Sequence, residues 1–182
     1  MFFEHLRGPL EALLFASGDP VPPQKLAEIL EVNEPHIHSL IALLREDMAD
    51  AGRGLTIVEV AGGYQLCSKP ELASIIERLA VVQDSRLSTA ALETLSIIAF
   101  KQPITRQEIE SIRGVKADRM VHTLLERRLI KELGRKDCLG RPILYGTTDE
   151  FLCCLGLRNI KELPSLADFI ASHDVSKSQE NI

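Results

Sequence analysis

Few side chains in this sequence have the types and spacing that chemistry needs. His36 and His38 stand two residues apart, a weak metal-ligand pattern. Residues two apart on a helix do not share a face, so the pair reads as surface histidine. Cys67, Cys138, Cys153 and Cys154 form no Cys-x-x-Cys pair and have no histidine cluster beside them. Neither a zinc site nor a disulfide framework is expected from them. Cys153 and Cys154 are neighbours, which is poor geometry for a structural bridge. No Gly-x-Gly-x-x-Gly, P-loop or Gly-x-Ser-x-Gly pattern occurs, so nucleotide binding and a serine nucleophile have no support. Asp149-Glu150 and Glu46-Asp47 fit helix caps and surfaces better than an acid/base pair. The chain reads as a non-enzyme with no metal and no cofactor.

One charged run is left. Between Arg113 and Arg141 stand Arg113, Lys116, Arg119, Arg127, Arg128, Lys131, Arg135, Lys136 and Arg141, against Asp118, Glu126, Glu132 and Asp137. A local excess of this kind can meet phosphates. The elements that carry it are legible. Ser88 to Phe100 reads as a buried helix, with Leu92, Leu95, Ile98 and Ala99 at helical spacing and Ile97 and Phe100 widening the apolar surface. Lys101-Gln102-Pro103 ends it. Thr105-Arg106-Gln107-Glu108 is a capping box opening a short helix, with Ile109 and Ile112 expected inward and Gly114 as its stop. A third helix is expected from about Ala117 to Arg127, with Ala117, Val121, Leu124 and Leu125 on one face. Leu129 to Leu133 and Ile143 to Thr147 alternate as two strands around the loop Lys136 to Pro142. Thr147-Thr148-Asp149-Glu150 opens a last short helix.

Helix, short helix, helix, hairpin is the order of a winged helix. The chain spells it twice. Leu10, Glu11 and Leu13 fall on Leu92, Glu93 and Leu95. One inserted residue later Pro20, Val21, Leu26 and Ile29 fall on Pro103, Ile104, Ile109 and Ile112. In the first copy Leu6, Leu10, Leu13 and Leu14 mark the first helix, Gln24 to Leu30 the second, and Ile37, Leu40, Ile41, Leu44 and Met48 the third. Leu55 to Val60 and Tyr64 to Cys67 form the hairpin, with Gly62-Gly63 as its expected two-residue turn. Glu71 to Leu79 is expected as an extra helix before a short linker near 82–87. The expected architecture is mostly α with small β-hairpins (α+β), in tandem winged-helix domains. These span 1–83 and 84–163, followed by a polar tail, 164–182, expected to be disordered.

Composition fits this reading. With 182 residues, 45% apolar and 26% charged, the chain has the balance of ordinary globular domains. No stretch approaches 18 consecutive apolar residues, and MFFEHLRGPLEALLF lacks the continuous apolar core of a signal peptide, so the cytoplasm is expected. Net charge is −6 over residues 1–83, +3 over 84–163 and −2 over 164–182. The third helix of the first copy carries Glu34, Glu46, Asp47 and Asp50 against Arg45, which would repel DNA. Protein-binding modules with at most weak, non-specific DNA contact are the better reading. Met1-Phe2-Phe3, Phe15, Phe100, Phe151 and Leu152 leave apolar surface for interfaces, and a closed two-fold dimer is the default form of self-association.

RLSTAALETLSIIAFKQPITRQEIESIRGV and GRKDCLGRPILYGTTDEFL resemble a known family, segregation and condensation protein B. The resemblance runs through residues 6–166, is densest from Leu87 to Leu166, and includes the ending Leu163-Pro164-Ser165-Leu166. It implies tandem winged helices that dimerise chiefly through the N-terminal domains. It also implies binding of the kleisin subunit ScpA and, through it, of the SMC ATPase, in chromosome condensation and segregation at the nucleoid. Cys138-Leu139 and Cys153-Cys154 depart from the family pattern. For the kleisin the expected residues are Tyr145, Thr148, Phe151 and Leu155 on the last strand and helix. For the dimer they are Phe2, Phe3 and Leu6. Weak DNA contact would fall to Lys116, Arg119, Arg135, Lys136 and Arg141. The alternative is a DNA-binding winged-helix transcriptional regulator.

Overall fold

The structure, a computed structural model, describes residues 4–79 and 86–163. Phe2, Phe3, most of the linker and the tail 164–182 lie outside the described residues. Contacts gather the chain into two compact units, Met1–Ser85 and Arg86–Ile182.

In the first unit a 3-10 turn, Glu4–Leu6, leads into α1 (Arg7–Ser17), which Gly18 stops in the left-handed region. α2 (Pro23–Ile29) and α3 (Glu34–Met48) both take Pro in their first turn, where the missing N–H costs nothing. β1 (Leu55–Val60) and β2 (Gly63–Ser68) pair antiparallel, with Ile57 opposite Leu66 and Val60 opposite Gly63. Leu10 and Leu14 of α1, Leu26 of α2 and Ile37, Leu40, Ile41, Leu44 and Met48 of α3 meet Ile57 and Tyr64 in one core. The apolar period of α3 is therefore as read. The expected helix over Glu71 to Leu79 is only a 3-10 turn, Pro70–Leu72, and α4 (Ala73–Ile76). Ile75, Ile76 and Leu79 stay exposed, so no buried face extends it.

The hairpin turn differs from the sequence reading. Its two central residues are Ala61 and Gly62, both at positive φ (50° and 72°), which matches the strand twist. Gly63 is already the first residue of β2. Its lack of a side chain answers a different need: a Cβ there would sit 2.8 Å from the backbone carbonyl carbon and oxygen of Val21.

In the second unit α5 (Thr89–Lys101) begins at Ser88, whose hydroxyl accepts from the Ala91 N–H. The short strand β3 (Ile104–Thr105) runs into α6 (Arg106–Arg113), followed by α7 (Asp118–Glu126). β4 (Ile130–Arg135) and β5 (Ile143–Thr147) form the wing, and α8 (Asp149–Leu155) follows. The sheet order is β3-β5-β4, all antiparallel, with Ile104 opposite Tyr145 and a bulge between Glu132 and Gly134. Ile98, Ile109, Ala117 and Leu124 are fully buried.

Two inward expectations fail here. Leu92 is 49% exposed and Ile112 54% exposed, while Thr94 is fully buried in their place. Thr94 satisfies its hydroxyl by donating to the Ala90 carbonyl at 2.8 Å, so a threonine fits an apolar core position. The helix register of the repeat shifts accordingly. Leu10 and Leu14 correspond to Thr94 and Ile98, and the ends of α1 and α5, Ser17 and Lys101, correspond too. The loop to the following strand is then shorter in the second copy, not longer. Val21 still falls on Ile104, and Leu26 on Ile109.

Candidate partner-binding groove

Exposed Leu92 and Ile112 have a common destination. With Leu95, Ala99 and Phe100 of α5, Phe151 and Leu155 of α8, and Leu157 and Leu163 beyond it, they line a groove of about 690 Å³ in the second unit. Phe151 and Leu95 are buried, whereas Leu155 is 53% exposed like Leu92 and Ile112. Ser96 spends its hydroxyl on the Leu92 carbonyl (2.9 Å), and Lys101 is the charged residue of the lining. α5 and α6 are clamped beside it. The Arg113 guanidinium donates twice to Glu93 Oε2, at 3.0 and 3.1 Å, with its own side chain almost covered. α8 is fixed by Thr148, whose hydroxyl accepts from the Phe151 N–H and donates to the Arg128 carbonyl. An apolar, half-exposed trough with little polar lining can hold apolar side chains.

Of the four residues expected at a partner site, Phe151 and Leu155 line this groove. Tyr145 does not. It is 8% exposed, packed in the sheet opposite Ile104, and burial raises its phenol pKa. Its place in the strand alternation points inward, which the sequence reading gave no weight. Thr148 serves as the cap rather than as open surface. Leu92 and Ile112 were missed because an inward role was assumed for them, whereas Phe100, read as apolar surface for an interface, lines the groove. The signal lay in α5 itself, which is apolar on more than one side.

Leu6, expected in a dimer face, packs partly buried against the first unit's core. The cations expected to meet DNA divide. Lys116, Arg119 and Arg141 are exposed. Arg135 donates to the Arg141 carbonyl at 3.0 Å. Lys136 is engaged, reaching from the wing to Glu108 Oε1 at 2.6 Å. That carboxylate also takes the Thr105 N–H and hydroxyl at 2.8 Å each, which completes the capping box. The Lys136 ammonium foremost, then the Thr105 donors, hold Glu108 down at about 2. Asp118 at the head of α7 pairs with Arg106, and Glu126 at its end pairs with His122 at 3.2 Å. Acid thus sits at both ends of the helix that would enter a groove of DNA.

No cysteine is in a disulfide, and burial raises the thiol pKa of Cys67 and Cys154, which disfavours their thiolates. Among the described residues no cluster of three or more His, Cys, Asp or Glu could hold a metal ion, and no helix is long and apolar enough to cross a membrane.

The chain is similar to known proteins along most of its length. Residues 8–166 match the family described as segregation and condensation complex subunit ScpB. The chain is 51% identical over 176 residues to segregation and condensation protein B of Moorella thermoacetica, covering 97% of this chain and 90% of that one. It is 52% identical over 164 residues to the protein of the same name from Symbiobacterium thermophilum, covering 90% and 75%. A crystal structure of ScpB from Mycobacterium tuberculosis is 31% identical, with 84% of this chain and 95% of that chain covered and a TM-score of 0.40. A crystal structure of a dimer of an ScpB N-terminal domain complexed with an ScpA peptide is 32% identical, covering 44% of this chain and all of that one, with a TM-score of 0.42. On the match along most of its length, this chain belongs to the segregation and condensation complex subunit ScpB family.

Proposed function

We propose that this chain is a non-enzymatic subunit of a bacterial SMC–kleisin complex, acting at the nucleoid in chromosome condensation and segregation. In this reading it is a homodimer that binds the kleisin ScpA, and reaches the SMC ATPase through it. The observation that carries the reading is the groove of the second unit. Leu92, Ile112 and Leu155 keep about half their surface in solvent around buried Phe151, and an amphipathic kleisin helix can lay its apolar face there. Membership of a family described as a complex subunit supports it. The division of labour is dimerisation by residues 1–83 and kleisin binding by 84–163. In the first, Phe15 is exposed on α1 and Leu6 lies at the edge of the core, three residues after Phe3 in sequence.

Light scattering after size-exclusion chromatography tests both halves of this. The full chain alone should give twice its 20.2 kDa, and with purified ScpA it should give a stable larger species. A monomer that ignores ScpA removes the reading. The second reading, a DNA-binding regulator, rests on exposed Lys116, Arg119, Arg135 and Arg141. It requires tight binding to one duplex sequence.

A further inference from the structure

The described chain ends in the groove. Leu163 is one of its lining residues, and a 3-10 turn, Ile160–Glu162, delivers it there. That turn is held firmly. Glu162 accepts from the Arg158 N–H at 2.8 Å and from Arg158 Nε at 2.5 Å, and the Asn159 side chain accepts from the Lys161 N–H at 3.0 Å. The sequence continuing from Leu163 is Pro164-Ser165-Leu166-Ala167-Asp168-Phe169-Ile170. Leu166, Phe169 and Ile170 recur at the three- and four-residue spacing that gathers side chains on one side of a helix. From Ser172 the sequence turns mostly polar. Three apolar side chains thus begin three residues after a groove residue, and the acid among them, Asp168, suits Lys101 of the lining.

We propose that residues 164–170 of the same chain dock in this groove through Leu166, Phe169 and Ile170, and so compete with the kleisin for it. The competition rests on the reading of the groove as the kleisin site; the docking does not. Tethering supplies the segment at an effective concentration on the order of millimolar, so modest contacts suffice to keep it there. An incoming helix then sees only the open fraction of molecules, and its apparent affinity falls by that fraction. A tethered segment can in this way keep an apolar trough from collecting unrelated chains.

The test uses the full chain and its Leu166→Asp/Phe169→Asp variant, compared by backbone amide NMR and by titration with purified ScpA. Amide shifts should change on α5, α6 and α8 around Leu92, Ile112 and Leu155. The variant should bind ScpA about tenfold more tightly if the segment fills the groove nine-tenths of the time. Asp168→Lys, which sets like charge against Lys101, should move the same amides in the same direction without changing apolar content. Shift changes confined to residues 164–182 overturn the docking. Changes that appear only as protein concentration rises assign the groove to a second copy and overturn it too. Groove shifts with unchanged ScpA affinity uphold the docking and instead sink the placing of the kleisin there.

Discussion

Val21 and Tyr64 exchange both of their backbone hydrogen bonds, each 2.9 Å long. The second unit contains the same pair in Ile104 of β3 and Tyr145 of β5. In both units the residue after the first helix and its proline returns to the sheet and pairs with a buried tyrosine of the second wing strand. Around Tyr64 the pairing supports more. Its hydroxyl shares a 2.7 Å hydrogen bond with His38 Nδ1, and Arg45 lies over its ring while donating to the Ile57 carbonyl at 2.9 Å. The phenol is raised, by burial first and by Glu59 second. The tyrosine therefore locks α3 to the hairpin in the first copy.

This bridge requires Gly63 to be bare, because a Cβ would press on the Val21 backbone. Gly63→Ala should cost about 1–3 kcal/mol, as overpacking against backbone does. Gly62→Ala faces open space and carries only the left-handed φ of 72°, so about 1–2 kcal/mol is expected. Urea midpoints at constant slope measure both. A Gly63→Ala midpoint equal to that of the unaltered chain would show that the close approach to Val21 has no energetic weight.

A second prediction concerns acid. Glu108 ordinarily titrates at 4.5 and is held at about 2 by Lys136 and Thr105. Its folded value is depressed, so its contribution to stability is complete above 4.5 and is lost as pH falls toward 2. Melting temperature should therefore fall less steeply across that window in Glu108→Gln than in the unaltered chain. Both side chains are exposed, so the difference should be small and should shrink further with added salt. Lys136→Met should raise the Glu108 carboxyl pKa in an NMR titration. An unmoved titration would mean that the ion pair does not form in solution.

Much of this was legible in the sequence, for a definable reason. Thr105-x-x-Glu108, Gly114 and the Ile37 to Met48 period act within a turn or two of chain, and each appears as read. The misreadings needed the neighbours. Aligning Leu10 with Leu92 followed residue identity, whereas packing pairs Leu10 with Thr94, a residue that hides its polarity in its own helix. Ile112 and Leu92 look like core in a helical pattern, and only the position of α8 shows that they border a trough. Tyr145 looked available because its pairing with Ile104 is a contact between distant segments. The groove is tertiary, so no single stretch of sequence announces it.

Salt and charge separate the two functional readings. Exchanging both exposed cations Lys116 and Arg119 for glutamate should leave ScpA binding within twofold, since neither lines the groove. Any duplex binding should weaken, and the salt slope of its affinity should drop by about 2 if both residues meet phosphates. A fluorescence anisotropy series against one duplex and against ScpA reads both. Loss of ScpA binding in this variant would move the partner surface from the α5/α8 side to the α7 face.

The groove makes the sharpest demand on solution behaviour. Leu155 and Ile112 are each about half in solvent and come from different helices, α8 and α6. Replacing either by aspartate removes only part-buried contacts, so melting should shift by no more than a few degrees, as surface changes do. An aspartate in an apolar trough, however, must be desolvated when a partner's apolar face arrives. Each single variant should weaken ScpA binding by at least tenfold, and the effect should show mainly in the dissociation rate. The first unit is untouched, so the mass in solution without ScpA should be the same as that of the unaltered chain. The Leu155→Asp/Ile112→Asp pair is informative through non-additivity. Two residues facing one helix should lose less together than the sum of their separate losses, because the first charge already lifts that helix away. Independent, additive losses would place them on separate contacts and divide the groove into two sites.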